Sequence, residues 1–200
     1  MVTRKKHRSF KSNAAVFSQP HSIFYKRVDI MSANIANVLA KMIDYEQGCP
    51  HRVNHFLKVH SFARIIGEAE GLTSSEQYIL EVAAAMHDCG IRASLLKHGY
   101  YNGKMQEEEG PAVADKMMLE LGMNEEVRDR VRYLIGHHHT YTNIEGPDYR
   151  ILVEADFLVN IYEDELAADA IETVKEKYFI TRKSREILTS LYQSPNEAGK

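Results

Sequence analysis

The sequence predicts an all-α fold. From Met31 onward apolar residues recur at three- and four-residue steps, short breaks separate these stretches, and no segment sustains the period-two alternation of a strand. The first predicted helix, Ile35 to Tyr45, carries Val38, Leu39, Met42 and Ile43 on one stripe and stops near Gly48-Cys49-Pro50. The second, Val53 to Gly71, sets Phe56, Val59, Ala63 and Ile66 on one face and ends at its glycine. Thr73 to Glu76 has the spacing of a capping box, and the apolar run Tyr78 to Met86 behind it reads as a buried helix that Gly90 closes. Ile91 to Gly110 lacks a continuous stripe and is expected to form a short helix and a loop near a site. Pro111 is expected to start a helix through Leu121 that Gly122 ends, and Asn124 to cap the next, which closes in His137-His138-His139. After the turn-rich link Asn143 to Arg150, Ile151 to Glu165 continues as an apolar helix. Helices at Ala167 to Lys177 and Thr181 to Gln193 follow.

The 200 residues suffice for one domain with a real core, placed at residues 31–193. Residues 1–30 are basic and nearly free of acids; they are read as a flexible tail or an early start, with a nucleic-acid or lipid arm and a targeting peptide as alternatives. Residues 194–200 form a C-terminal tail. A net charge of -3 with mixed signs predicts no global attraction to nucleic acid or an acidic membrane, and no apolar run approaches a membrane span. Two cysteines, Cys49 and Cys89, fit thiols in a reducing cytoplasm. Neither a phosphate-binding GxxxxGK[ST] loop, a GxGxxG turn nor a GxSxG nucleophile motif occurs. Tyr178, Phe179, Ile180, Leu188, Leu191 and Tyr192 in the last helices are expected to cover the core, with a homodimer face as the alternative.

Chemistry concentrates where apolar helices carry unexpected polar residues. His87-Asp88 follows the apolar run Val82 to Met86, so both start from a desolvated position and need partners. A structural cap is one answer: the histidine on the last carbonyls, the aspartate on the amides of the next turn. Asp156 has Leu152, Val153, Val159 and Asn160 as its helical neighbours and no nearby cation in sequence, whereas Glu154 is expected on a more exposed face. His55 lies on the stripe of Val59 and Ala63. A metal ion accounts for all four, and two imidazoles with two carboxylates suit Fe, Mn, Co, Ni or Mg better than a closed tetrahedral zinc site. Adjacent residues on a helix diverge by about 100°, so a doublet can embrace one ion only where the helix ends; Gly90 is expected to permit that turn.

Met31 to Asp164 resembles the HD superfamily of metal-dependent phosphohydrolases, in particular small stand-alone bacterial members. "HFLKVHSFA" is similar to the family's first-histidine helix, "AAAMHDCGI" to its doublet and "ILVEADFLVN" to its last-aspartate helix. The resemblance implies a helical bundle of the HD type and a divalent metal held by His55, His87, Asp88 and Asp156. It implies a metal-activated water attacking a phosphomonoester or phosphoanhydride, with a nucleotide as the expected small-molecule substrate. Asp88 is then the catalytic residue that orients the water or takes its proton. In relatives with two irons, further histidines come from the segments matching "EEEG" and "HHH"; here Glu109, His138 and His139 would hold a second ion, and Glu109 stands where those relatives often have histidine. A solvated helix end is the alternative for the triplet. The nuclearity, one or two, stays open, as does a receiver that binds a nucleotide without turnover. Among Arg52, Lys58, Arg92 and Lys97, Arg92 and then Lys97 are the expected substrate-binding cations, and Tyr100 or Tyr101 could stack a base.

Overall fold

A computed structural model describes residues 33–192; the tails expected at 1–30 and 194–200 lie outside the described residues. Among the described residues there are nine α-helices and no strand: α1 (Ile35–Tyr45), α2 (Pro50–Glu70), α3 (Ser74–Met86), α4 (Gly90–His98), α5 (Gly103–Glu120), α6 (Glu125–Ile135), α7 (Pro147–Glu163), α8 (Ala168–Tyr178) and α9 (Arg182–Tyr192). A single 3-10 turn, His87–Cys89, joins α3 to α4. None of these helices is long and apolar enough to cross a membrane.

Local signals set most boundaries. Gly71 ends α2 in the left-handed region at φ 79°. The capping box forms at Thr73: its hydroxyl accepts from the Glu76 amide at 3.3 Å and the Glu76 carboxylate accepts from the Thr73 amide at 2.9 Å. Asn124 accepts from the Val127 amide at 2.9 Å and starts α6. Two helices begin earlier than their apolar periodicity suggests, because Pro50 and Pro147 occupy the first helical position, where a missing N–H costs nothing. Pro111 does not start a helix. It lies inside α5, which Asn102 caps nine residues upstream of it through the Met105 amide at 3.0 Å.

Helices α2, α3 and α7 pack on one another at the centre; α1 and α6 lie against α3, α5 bridges α4 and α6, and α9 closes over α2 and α7. Their buried apolar side chains form one contiguous core. Leu80 and Val82 to Met86 of α3 are fully buried, and each large side chain among them contributes about 1.5–3 kcal/mol of apolar burial. Phe179 and Leu188 seal the core from the C-terminal side, while Ile180 and Leu191 are exposed.

Gly90 performs a different task from the expected one. Its φ of -67° is helical, so it does not end a helix through a left-handed turn; the 3-10 geometry of His87–Cys89 supplies the break. Gly90 is small because α4 crosses α5 there: a Cβ would sit 2.6 Å from the Gln106 carbonyl and 2.9 Å from the Gly110 amide. Glu154 is fully buried rather than exposed, because α9 folds over that side of α7. Its carboxylate accepts from the amides of Ile180 at 2.6 Å and Thr181 at 3.0 Å and from the Thr181 hydroxyl, and so holds the start of α9.

Candidate metal centre

Three elements deliver side chains to one point. Helix α2 presents His55 from the face that also buries Val59 and Ala63, the 3-10 turn presents His87 and Asp88, and α7 presents Asp156. His55 Nε2 lies 3.1 Å from His87 Nε2, 3.5 Å from Asp88 Oδ2 and 3.2 Å from Asp156 Oδ1. His87 Nε2 lies 3.6 Å from Asp88 Oδ2 and 3.5 Å from Asp156 Oδ1. The turn itself is anchored where the Tyr45 hydroxyl donates to the Cys89 carbonyl at 3.0 Å.

The outer face of each ring fixes its inner face. Nδ1 of His87 meets the Ala84 carbonyl at 2.9 Å, Nδ1 of His138 the Ile135 carbonyl at 2.7 Å, and Nδ1 of His55 the Glu163 carboxylate at 2.8 Å. Each Nδ1 therefore carries a proton and donates it outward, leaving Nε2 as a lone-pair donor in the neutral ring. Two such nitrogens 3.1 Å apart, ringed by carboxylate oxygens, repel unless positive charge sits among them. Without a cation, protons supply it. Burial opposes charge on His55, but the close approach of Asp156, Asp88 and Glu163 overcomes this and raises the imidazole to about 9. Burial likewise opposes charge on Asp88, and the adjacent imidazoles outweigh it and hold the carboxyl well below the ordinary range.

A divalent ion fits this donor set better than protons do. Asp156 Oδ1 and His138 Nε2 are buried without a hydrogen-bond partner, an arrangement costing about 1–3 kcal/mol per atom unless a ligand claims it. His55, His87 and Asp88 offer atoms close enough together for one ion, with Asp156 alongside; Asp88, His138 and His139 form a second group of the same kind. Asp88 belongs to both: Oδ2 faces the first pair of rings, and Oδ1 lies 3.6 Å from His138 Nε2. His139 is held neutral, lowered to about 4 by burial and by the neighbouring His138. Its Nε2 meets Gln106 Oε1 at 3.1 Å, so a second ion would have to displace that amide. His137 turns away and stacks on Tyr133 at 4.3 Å.

Three expected residues lie elsewhere. Glu109 does not approach His138 or His139; it pairs with Lys97 at 2.5 Å and with His98 at 3.8 Å. The early start of α5 brings Gln106 and Glu107 to the histidine turn instead, with Glu107 accepting from the His139 amide at 3.0 Å; Glu109 sits about 3–4.5 Å further along the axis. Lys97 is thereby engaged outside the pocket. Arg92 turns toward α1, where it donates to the Tyr45 carbonyl and lies 5.6 Å over the Tyr45 ring. The cation that reaches the pocket is Arg52, held by Glu46, whose Oε2 accepts from Nε and Nη2 at 2.6 Å each. His51, Arg52, Tyr101, Gln106 and Asn160 line an open pocket of about 280 Å³ over His55, Asp88 and Asp156. Glu163, seven residues after Asp156 on α7, also lines it; that two-turn spacing is legible in the sequence, whereas its partner on α2 comes only from the packing of the two helices.

No protein-family model and no curated protein matches this chain. The structure is similar to a crystal structure described as a predicted HD superfamily hydrolase from an uncultured Thermotogales bacterium, with 21% identity over 78% of this chain and 84% of that one and a TM-score of 0.57. The helices that gather His55, His87, Asp88 and Asp156 thus share the fold of that solved structure.

Proposed function

We propose that this chain is a metal-dependent hydrolase of phosphomonoester or phosphoanhydride bonds, with a nucleotide as its substrate. The observation that carries the reading is the convergence of two histidine Nε2 atoms and two aspartate oxygens, one of them without a hydrogen-bond partner, beneath an open pocket. The solved structure it resembles, described as a predicted HD superfamily hydrolase, supports a hydrolase in general. His55, His87, Asp88 and Asp156 would hold the ion, from among Fe, Mn, Co, Ni and Mg. When bound, a divalent cation supplies Lewis acidity, lowering the pKa of water toward neutrality and polarising a phosphoryl oxygen.

The chain's own groups do the rest. Asp88, held ionised by the imidazoles around it, is the acceptor placed to orient a water and take its proton. Arg52 uses two guanidinium nitrogens on Glu46 and faces the pocket with its charge pre-placed, which suits an anionic phosphate. Tyr101, half exposed at the mouth, is suited to stacking a base. A second ion on Asp88, His138 and His139, as in a dinuclear iron hydrolase of dinucleoside polyphosphates, is favoured by the sharing of Asp88 between both groups. The free thiols Cys49 and Cys89 suit a reducing cytoplasm.

The test is a panel of nucleotides and other phosphoesters with each candidate metal. Turnover with at least one pair is expected, and Arg52→Lys should lower kcat/KM about tenfold, mainly through KM, because an ammonium cannot reproduce the planar fork. A panel blank with every metal, alongside tight nucleotide binding, would make the chain a receiver rather than an enzyme.

A further inference from the structure

Behind the ion-facing side of His55 lies a second set of charges that direct ligation does not use. Helix α2 sets His51, His55 and Lys58 at four- and three-residue steps, hence along one face. Helix α7 sets Asp156 and its last residue, Glu163, two turns apart on one face. Where the two helices meet, Glu163 Oε2 accepts from His55 Nδ1 at 2.8 Å and Glu163 Oε1 accepts from Lys58 Nζ. His51 Nε2 stands 3.9 Å from the same carboxylate. The contact is largely shielded from water: the side chains of His55 and Glu163 are 8% and 11% exposed.

We infer that Glu163 is the positioning residue of the metal centre: it fixes the ring orientation and tautomer of His55 so that Nε2 faces the ion, with Lys58 holding the second carboxylate oxygen. This rests on the metal reading above. His87 and His138 donate to backbone carbonyls, which no side-chain substitution removes. His55 alone among these three rings depends on a side chain for its proton acceptor. A carboxylate there also makes the imidazole a stronger donor to the ion than a neutral acceptor would. Through Asp156 and Glu163, one rigid helix governs a direct ligand and the orientation of another, so α2 and α7 cannot shift relative to each other without loosening the centre.

The experiment is a calorimetric Mn²⁺ titration of the metal-free full chain, native, Glu163→Ala and Glu163→Gln, with thermal unfolding of each in chelator. Glu163→Ala is expected to weaken Mn²⁺ binding about 10–100-fold. Glu163→Gln should fall between, since its carbonyl can accept from Nδ1 while its amide faces Lys58. Should the alanine variant fail to fold, the glutamine variant carries the test. On Zn²⁺-loaded protein, long-range ¹H–¹⁵N spectra should place the His55 proton on Nδ1 in the native chain and lose that preference in Glu163→Ala. A clamp that merely joins α2 to α7 would lower the unfolding temperature and leave affinity and tautomer unchanged; that result overturns the assignment. A native chain that binds neither Mn²⁺ nor Zn²⁺ instead overturns the metal reading itself.

Discussion

Asp88→Asn is expected to lower kcat about 10²–10⁴-fold on whichever phosphoester the native chain hydrolyses fastest. The substitution keeps size and shape, so the loss reports the carboxylate's charge and second oxygen rather than packing. Asp88 shares its two oxygens between both groups of histidines, 3.5 Å and 3.6 Å from the Nε2 atoms of His55 and His87 on one side and 3.6 Å from that of His138 on the other. An amide presents an oxygen to one side only and an N–H₂ group to the other, and it cannot take a proton from water. Asp88→Ala removes the ligand as well and should lose bound metal along with turnover. Kinetics together with metal content check both statements. A chain that kept metal and full activity without the Asp88 carboxylate would show that another group performs its role.

Glu154→Ala is expected to lower the free energy of unfolding by about 2–4 kcal/mol, read from urea unfolding of the metal-free chain. The side chain is fully buried, and its three acceptor contacts at Ile180 and Thr181 hold the link into α9. Removing it leaves two partly buried backbone amides without their acceptor at the start of α9, where a negative group is also favoured by the dipole. Glu154→Gln keeps a carbonyl acceptor for those amides and should lose less. The effect belongs to the fold rather than to the ion: Glu154 and Asp156, two residues apart on α7, point to different faces, one to α9 and one to the histidines. An alanine variant as stable as the native chain would mean that α9 is held by Phe179 and Leu188 alone.

The four central ligand candidates were legible because each broke a local pattern. His55 and Asp156 interrupt apolar helical stripes, and His87-Asp88 ends one, so desolvation alone demanded partners for them. The exact helix starts at α5 and α7 were not, since apolar periodicity begins later than the Asn102 cap and the first-position Pro147. That misplacement explains Glu109: with α5 starting at Gly103, Gln106 and Glu107 meet the histidine turn and Glu109 is left to Lys97. The ranking of Arg92 and then Lys97 ahead of Arg52 missed what decides it, because which cation reaches the pocket depends on Glu46 and Tyr45 of α1 and its following turn. The task of Gly90 was likewise hidden, for its neighbours, Gln106 and Gly110, come from another helix.

We propose that His55, His87, Asp88 and Asp156 hold a metal ion. Metal content per chain, measured on protein purified anaerobically without a chelating column, for the native sequence and for His87→Ala, tests it most directly. One or two transition-metal ions per native chain are expected, lost in a folded His87→Ala variant. No metal in either, after anaerobic loading with iron and with manganese, would contradict it and leave His87 and Asp88 as partners of protons alone.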